Sequence, residues 1–210
     1  MDADCLGEGR QIPYLCRTEI AREAEELLDE CWDGFFPVDV EAVCDYLNIA
    51  ILPVRGLADD FGVDAFISAD FRTIYVDLLE YEHESSRYRF SLAHELGHLV
   101  LHKEYYPSKV ENFEEWLGFA RGLDNGYAEY QANYFAANLL APEDELVRIM
   151  NREFGGSFAR NCLDKNHMEF RNILYNVRRF FMVSEQVVAR RMRDVFPGAE
   201  DFDEIADAIR

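Results

Sequence analysis

Three of the five histidines fall within nine residues, in the segment FSLAHELGHLVLH (90–102), and that segment constrains the chain more than any other. Phe90, Leu92, Ala93, Leu96, Leu99, Val100 and Leu101 place apolar side chains nearly all round a helix, so the helix runs through a core rather than across a surface. Ser85 or Ser86 supplies a cap for its first turn. At about 100° per residue, His94 and His98 stand about 40° apart and one turn separated, so both imidazoles reach one point. Glu95 follows about 60° beyond His98 and faces the open side of that point. Polar groups on a core helix require partners. Two neutral imidazoles at this spacing suit a Zn²⁺ ion, and the adjacent carboxylate suits a general base for metal-assisted hydrolysis. Gly97, inside the motif, costs about 1 kcal/mol of helix propensity relative to Ala, which is explained if another backbone approaches closely there.

A third ligand is required. His102 lies about 12 Å from His94 along the axis and about 80° around it, too far for all three imidazoles to share an ion. It reads instead as a core residue behind the ligands. The metzincin continuation would place Gly and His where Leu101 and Glu104 stand, which excludes that class. A carboxylate from a later helix remains, the gluzincin plan. Glu111, Glu114, Glu115 and Asp124 belong to a polar, glycine-punctuated connection, whereas Glu129 opens the apolar helix AEYQANYFAANLL and shares a face with Ala132, Ala136 and Leu140. Glu129 is therefore the expected third ligand. Tyr127, Tyr130, Tyr134, His102 and His167 are the candidate oxyanion donors or supporting residues around the metal, and the sequence does not choose among them.

Around this centre the pattern is mostly helical. Helices are expected at 19–32 behind a capping Thr18, and at 39–47, 85–102, 111–121, 127–140, 143–150, 168–181 and 184–194. The stripe Phe113, Trp116, Leu117 and Ala120 marks the 111–121 helix, read as core or as a cover for the cleft. Strands are expected at Ile49–Pro53, Val63–Ser68 and Thr73–Asp77, forming a small three-stranded sheet, antiparallel or mixed. Thr73–Asp77, immediately before the metal helix, is the expected exposed edge for a peptide substrate. The fold class is α+β: a mostly helical, zincin-like core (18–150) with a small sheet, an N-terminal tail (1–17) and a C-terminal helical, helix–turn–helix-like segment (151–210).

Here the residues carry a family resemblance. RYRFSLAHELGHLVLH followed by EYQANYFAANLLAP resembles the paired helical motifs of the ImmA/IrrE family of bacterial metallo-endopeptidases. PVDVEAVCDYLNIAI (37–51) is similar to that family's lead-in helix and first strand, and FFMVSEQVVARRM (180–192) to its helix–turn–helix-like tail. The chain departs from the pattern at Ala141, where a methionine commonly precedes the proline, and in the length of the connection 103–127. The resemblance implies His94, His98 and Glu129 as metal ligands and Glu95 as catalytic base. It also implies cleavage of a partner transcriptional repressor.

Charge bears on the partner. The chain has 21 Lys+Arg against 41 Asp+Glu, but residues 1–147 hold 10 against 31 whereas residues 148–193 hold 10 against 4. Arg178, Arg179, Arg190, Arg191 and Arg193 in that basic island could serve a DNA-binding helix–turn–helix. The favoured reading is that 168–194 packs on the core, because the acidic body opposes a phosphate backbone and attracts a basic protein. Five cysteines without a C-x-x-C pair suit reduced structural thiols. No apolar run reaches the roughly 18 residues of a membrane span, and the opening MDADCLGEGR lacks the basic-then-apolar order of a signal peptide. A cytoplasmic protein is expected.

Overall fold

The structure, a computed structural model, describes residues 12–83, 85–106, 127–154 and 167–196, without the side chains of 154 and 167–170. Two helices, α1 (Arg17–Cys31) and α2 (Val40–Tyr46), precede strand β1 (Ala50–Val54). A short helix α3 (Leu57–Phe61), strands β2 (Ala65–Ile67) and β3 (Thr73–Asp77) and a short helix α4 (Leu78–His83) follow. The central helix α5 (Ser86–His102) ends in a 3₁₀ turn at Lys103–Tyr105. Beyond it come α6 (Tyr127–Leu140), α7 (Glu143–Phe154), α8 (His167–Phe181) and α9 (Glu185–Val195). The class is α+β and mostly helical, as the periodicity predicts.

The sheet has the order β1-β3-β2, with β1 parallel and β2 antiparallel to β3. This corrects one expectation. Thr73–Asp77 is the central strand and offers no free edge; its Ile74 and Val76 are fully buried against the helices. The free edges belong to β1 and β2. The bonds Ser68 N–H to Thr73 O and Asp77 N–H to Asp64 O set the ladder phase. The alternation then turns the backbone groups of Ala65 and Ile67 away from β3.

Caps explain several boundaries. Ser85 Oγ accepts from Tyr88 N–H at 3.1 Å and starts α5. At α1 the expected cap Thr18 lies inside the first turn; the N-cap is Cys16, whose N–H is accepted by Glu19 at 2.7 Å. The short helices α3 and α4 escape the periodicity, since five or six residues complete too few turns to show a stripe. One carboxylate organises both: Asp77 accepts from Ala58 N–H at 3.1 Å and Leu79 N–H at 2.9 Å. These backbone donors, Ala58 first, hold its carboxyl below the usual range.

The core is continuous from α1 to α9. Leu92 and Leu96 of α5, Phe135, Leu139 and Leu140 of α6, and Val177, Phe181, Val188 and Met192 of α8 and α9 belong to one buried cluster. The expected helix 111–121 lies outside the described residues. Arg191 is buried, with Nε donating to Ala141 O at 2.9 Å, and Arg178 pairs with Glu185 at 3.3 Å. Both side chains are engaged within the protein, and Val177, Phe181, Val188 and Met192 pack the two last helices on the core.

Where α5 crosses α6, Gly97 lies against Ala132. A Cβ at Gly97 would stand 3.0 Å from Ala132 Cα, 3.1 Å from Ala132 O and 3.2 Å from the Phe135 ring. Ala132 and Phe135 are wholly buried and have nowhere to move. Gly97→Ala gains about 1 kcal/mol in helix propensity but incurs about 1–3 kcal/mol of overpacking. We expect a net loss of about 1 kcal/mol, read as a lower midpoint in urea unfolding of the metal-free protein.

Candidate metal centre

The close approach at Gly97 brings α6 within reach of both motif histidines. His94 Nε2 and His98 Nε2 face each other at 3.0 Å. Glu129 completes the triangle, with Oε2 3.3 Å from His94 Nε2 and Oε1 3.3 Å from His98 Nε2. Among the described residues these three form a group able to hold one metal ion. A tetrahedral ion bonded at about 2.0–2.1 Å separates neighbouring ligands by about 3.3–3.4 Å. The triangle thus fits such an ion with little adjustment, and three protein donors leave a fourth position open. Glu129 is 47% exposed in its side chain, so the open side meets solvent.

Each of the two histidines is backed by polar partners. His94 Nδ1 lies 3.2 Å from Asn133 Oδ1, an acceptor, which places a ring proton on Nδ1 and turns Nε2 toward the triangle. His98 Nδ1 lies 3.0 Å from His102 Nδ1 and 3.2 Å from the Tyr106 hydroxyl. His102, fully buried, continues to Gln131 Oε1 at 2.9 Å. Burial, then the neighbouring His98, lowers its pKa to about 4, so His102 is neutral at neutral pH. Glu95 is buried next to the triangle, and its Oε2 accepts from the Ile67 N–H of β2 at 2.8 Å. The edge strand therefore touches the carboxylate beside the metal ligands.

The remaining expected residues are dispersed. Tyr130 accepts from Arg17 Nε at 2.9 Å, and Tyr134, buried, lies with its ring centroid 5.7 Å from the same guanidinium. Tyr127 rests edge-on against Tyr14. All three face the N-terminal segment. His167 opens α8, but its side chain lies outside the described residues, as do Glu111, Glu114, Glu115 and Asp124. Sequence reading missed Asn133, Gln131, Tyr106 and the Ile67 N–H. Asn133 stands one turn after Glu129 on the same face, and Gln131 is an amide within an apolar helix; both spacings were visible. A backbone N–H carries no side-chain signal.

A small sheet laid beside a core helix, with two histidines of that helix and a carboxylate of another converging on one point, is the architecture of a metallopeptidase. The chain belongs to the peptidase M78, or ImmA/IrrE, family: the family model described as the IrrE N-terminal-like domain matches residues 64–193. That span runs from just before β2 into α9 and contains the whole triangle. No curated protein matches the chain.

The electrostatics of the triangle set a pH dependence. Burial opposes charge on His94, but the hydrogen bond to Glu129 and the charges of Glu95 and Glu129 outweigh it and raise its pKa above 6.5. The same imidazoles, against burial, hold the Glu129 carboxyl well below its usual 4.5. In the metal-free fold, the His94 contribution to stability is full below about 6.5 and fades as pH climbs through its raised folded value. The Glu129 contribution is present above about 4.5 and fades as pH falls through its depressed value. A metal must displace the proton that His94 retains. Zinc binding just above pH 6.5 is expected to release protons, with affinity falling as pH drops through that window. Calorimetry in two buffers of different ionisation enthalpy measures it.

Proposed function

We propose that this protein is a zinc-dependent endopeptidase whose catalytic base is Glu95, acting on one specific protein partner. The observation that supports the reading is the His94–His98–Glu129 group, able to hold one metal ion, on the helix whose Glu95 carboxylate is hydrogen-bonded to the edge strand β2. Zinc suits a two-imidazole, one-carboxylate donor set, and when bound it would lower the pKa of water and polarise a carbonyl. His94, His98 and Glu129 would hold it. A structural zinc site is normally closed by four protein ligands, so a set of three among the described residues, with a solvent-facing carboxylate, favours catalysis over a structural metal in a DNA-binding regulator.

The roles follow from geometry. Glu95 Oε2 is engaged by Ile67 N–H, which leaves Oε1 to take a proton from the attacking water and deliver it to the leaving amine. The outward backbone groups of Ala65, on the edge strand, would pair with an extended substrate and lay it past Glu95. The acidic 1–147 region favours a basic partner, and a helix–turn–helix transcriptional repressor fits that description. We further propose a peptidase unit at 18–150 with 151–210 packed on it. A cytoplasmic location is supported by free thiols at Cys16, Cys31 and Cys44 and by the lack, among the described residues, of any helix long and apolar enough to cross a membrane.

Metal analysis, and cleavage assays on helix–turn–helix repressors sought among the reading frames that neighbour this gene, test the reading. Wild type is expected to carry about one zinc per chain. Glu95→Gln should keep that zinc and lose about 10²–10⁴-fold in cleavage rate; undiminished cleavage refutes the mechanism. Glu129→Ala is expected to weaken zinc binding, and an unchanged affinity removes Glu129 from the ligand set.

A further inference from the structure

Behind His98 lies a row of hydrogen bonds whose direction can be read from one end. Gln131 Nε2 stands 2.8 Å from the carbonyl oxygen of Pro13. A carbonyl only accepts, so the amide NH₂ faces Pro13 and the amide oxygen faces His102. That oxygen also only accepts, so His102 carries its proton on Nε2, 2.9 Å away. A second proton on His102 would create a cation at a site with no exposure, pointed at another imidazole. His102 Nδ1 is therefore a lone pair, and the proton in its 3.0 Å contact with His98 Nδ1 belongs to His98. A neutral His98 then presents the Nε2 lone pair to the triangle, against the pull of the Glu129 carboxylate 3.3 Å away, which alone would draw the proton to Nε2. The Tyr106 hydroxyl, 3.2 Å from the same Nδ1, can accept as well as donate and so fits this arrangement.

We propose that Gln131 and His102 are positioning residues: together with the Pro13 carbonyl they fix the tautomer of His98, so that the N-terminal segment sets the readiness of the metal site. The inference rests on the zinc-site reading for its consequence, but its chemistry is present in the metal-free chain. It pairs with the simpler arrangement at His94, where a single amide, Asn133, does the same with one bond. Removing the outer partners of a metal-ligating histidine typically weakens metal binding about 10–100-fold.

The test uses the full chain labelled with ¹⁵N-histidine. Long-range ¹H–¹⁵N spectra of the metal-free wild type near pH 8 should show His102 protonated on Nε2 and His98 on Nδ1. The opposite tautomer at either ring overturns the proposal, whether or not the protein binds zinc. Gln131→Met, similar in size but without a comparable acceptor, should mix the two His98 tautomers. It should also lower zinc affinity about 10–100-fold in competition with a chromophoric chelator. Gln131→Glu keeps an acceptor toward His102 and should retain the wild-type His98 tautomer. Wild-type tautomer and zinc affinity in Gln131→Met would assign Gln131 a purely structural role and end the proposal. Failure of wild type to bind zinc would instead strike at the peptidase reading and leave the tautomer result standing.

Discussion

Everything at the centre of this molecule depends on how near two helix backbones come. Glycine at 97 lets α6 lie directly on α5, and that contact carries Glu129 to within 3.3 Å of both imidazoles. The same approach delivers Asn133 and Gln131, the former spaced one turn from Glu129, to the rear of the metal-ligand histidines and of His102. One helix therefore supplies the third residue of the triangle and, from two different faces, the amides behind His94 and His102. The local propensity lost at Gly97 is repaid by buried contact along Leu96, Ala132 and Phe135. Local preference and global packing disagree at this residue, as they often do where chemistry is housed.

Much of this was legible beforehand, for reasons that differ by feature. The helices at 86–102 and 127–140 declared themselves because burial on nearly every side leaves an unmistakable apolar sequence, and the H-E-x-x-H spacing projects two rings to one point whatever surrounds them. Glu129 emerged by elimination and by its place on an inward face. The strand order did not emerge. Which strand lies in the middle depends on where the chain returns, and three short β-rich segments look alike in sequence. The short helix α3 was invisible for a related reason: the carboxylate that holds its Ala58 N–H, Asp77, comes from a strand 19 positions away. The tyrosines of α6 were plausible around a metal because sequence gives a helix face only relative to its neighbours; Arg17, over a hundred positions distant, claims Tyr130.

The charge distribution also takes on structure. The basic island 148–193 reads from composition as a surface, yet Arg191 is among the most deeply buried side chains in the protein. Burial lowers its pKa, with Tyr134 and Asp194 working in the opposite direction. Its guanidinium is spent on the carbonyl that follows α6 rather than on solvent. Net charge along a sequence thus overstates the charge available to a partner when part of it is structural.

Arg17 donates to Asp194 at 2.8 Å across 177 positions, clasping the first described helix to the last. During synthesis this clasp cannot close until α9 has left the ribosome, long after the two histidines have emerged. The nascent chain therefore passes through an interval in which His94 and His98 are available without Glu129, and a longer one in which α1 and α6 are not yet pinned from the far end. The contact that ties the first described helix to the last is thus the final one to form, after all three residues of the triangle have emerged.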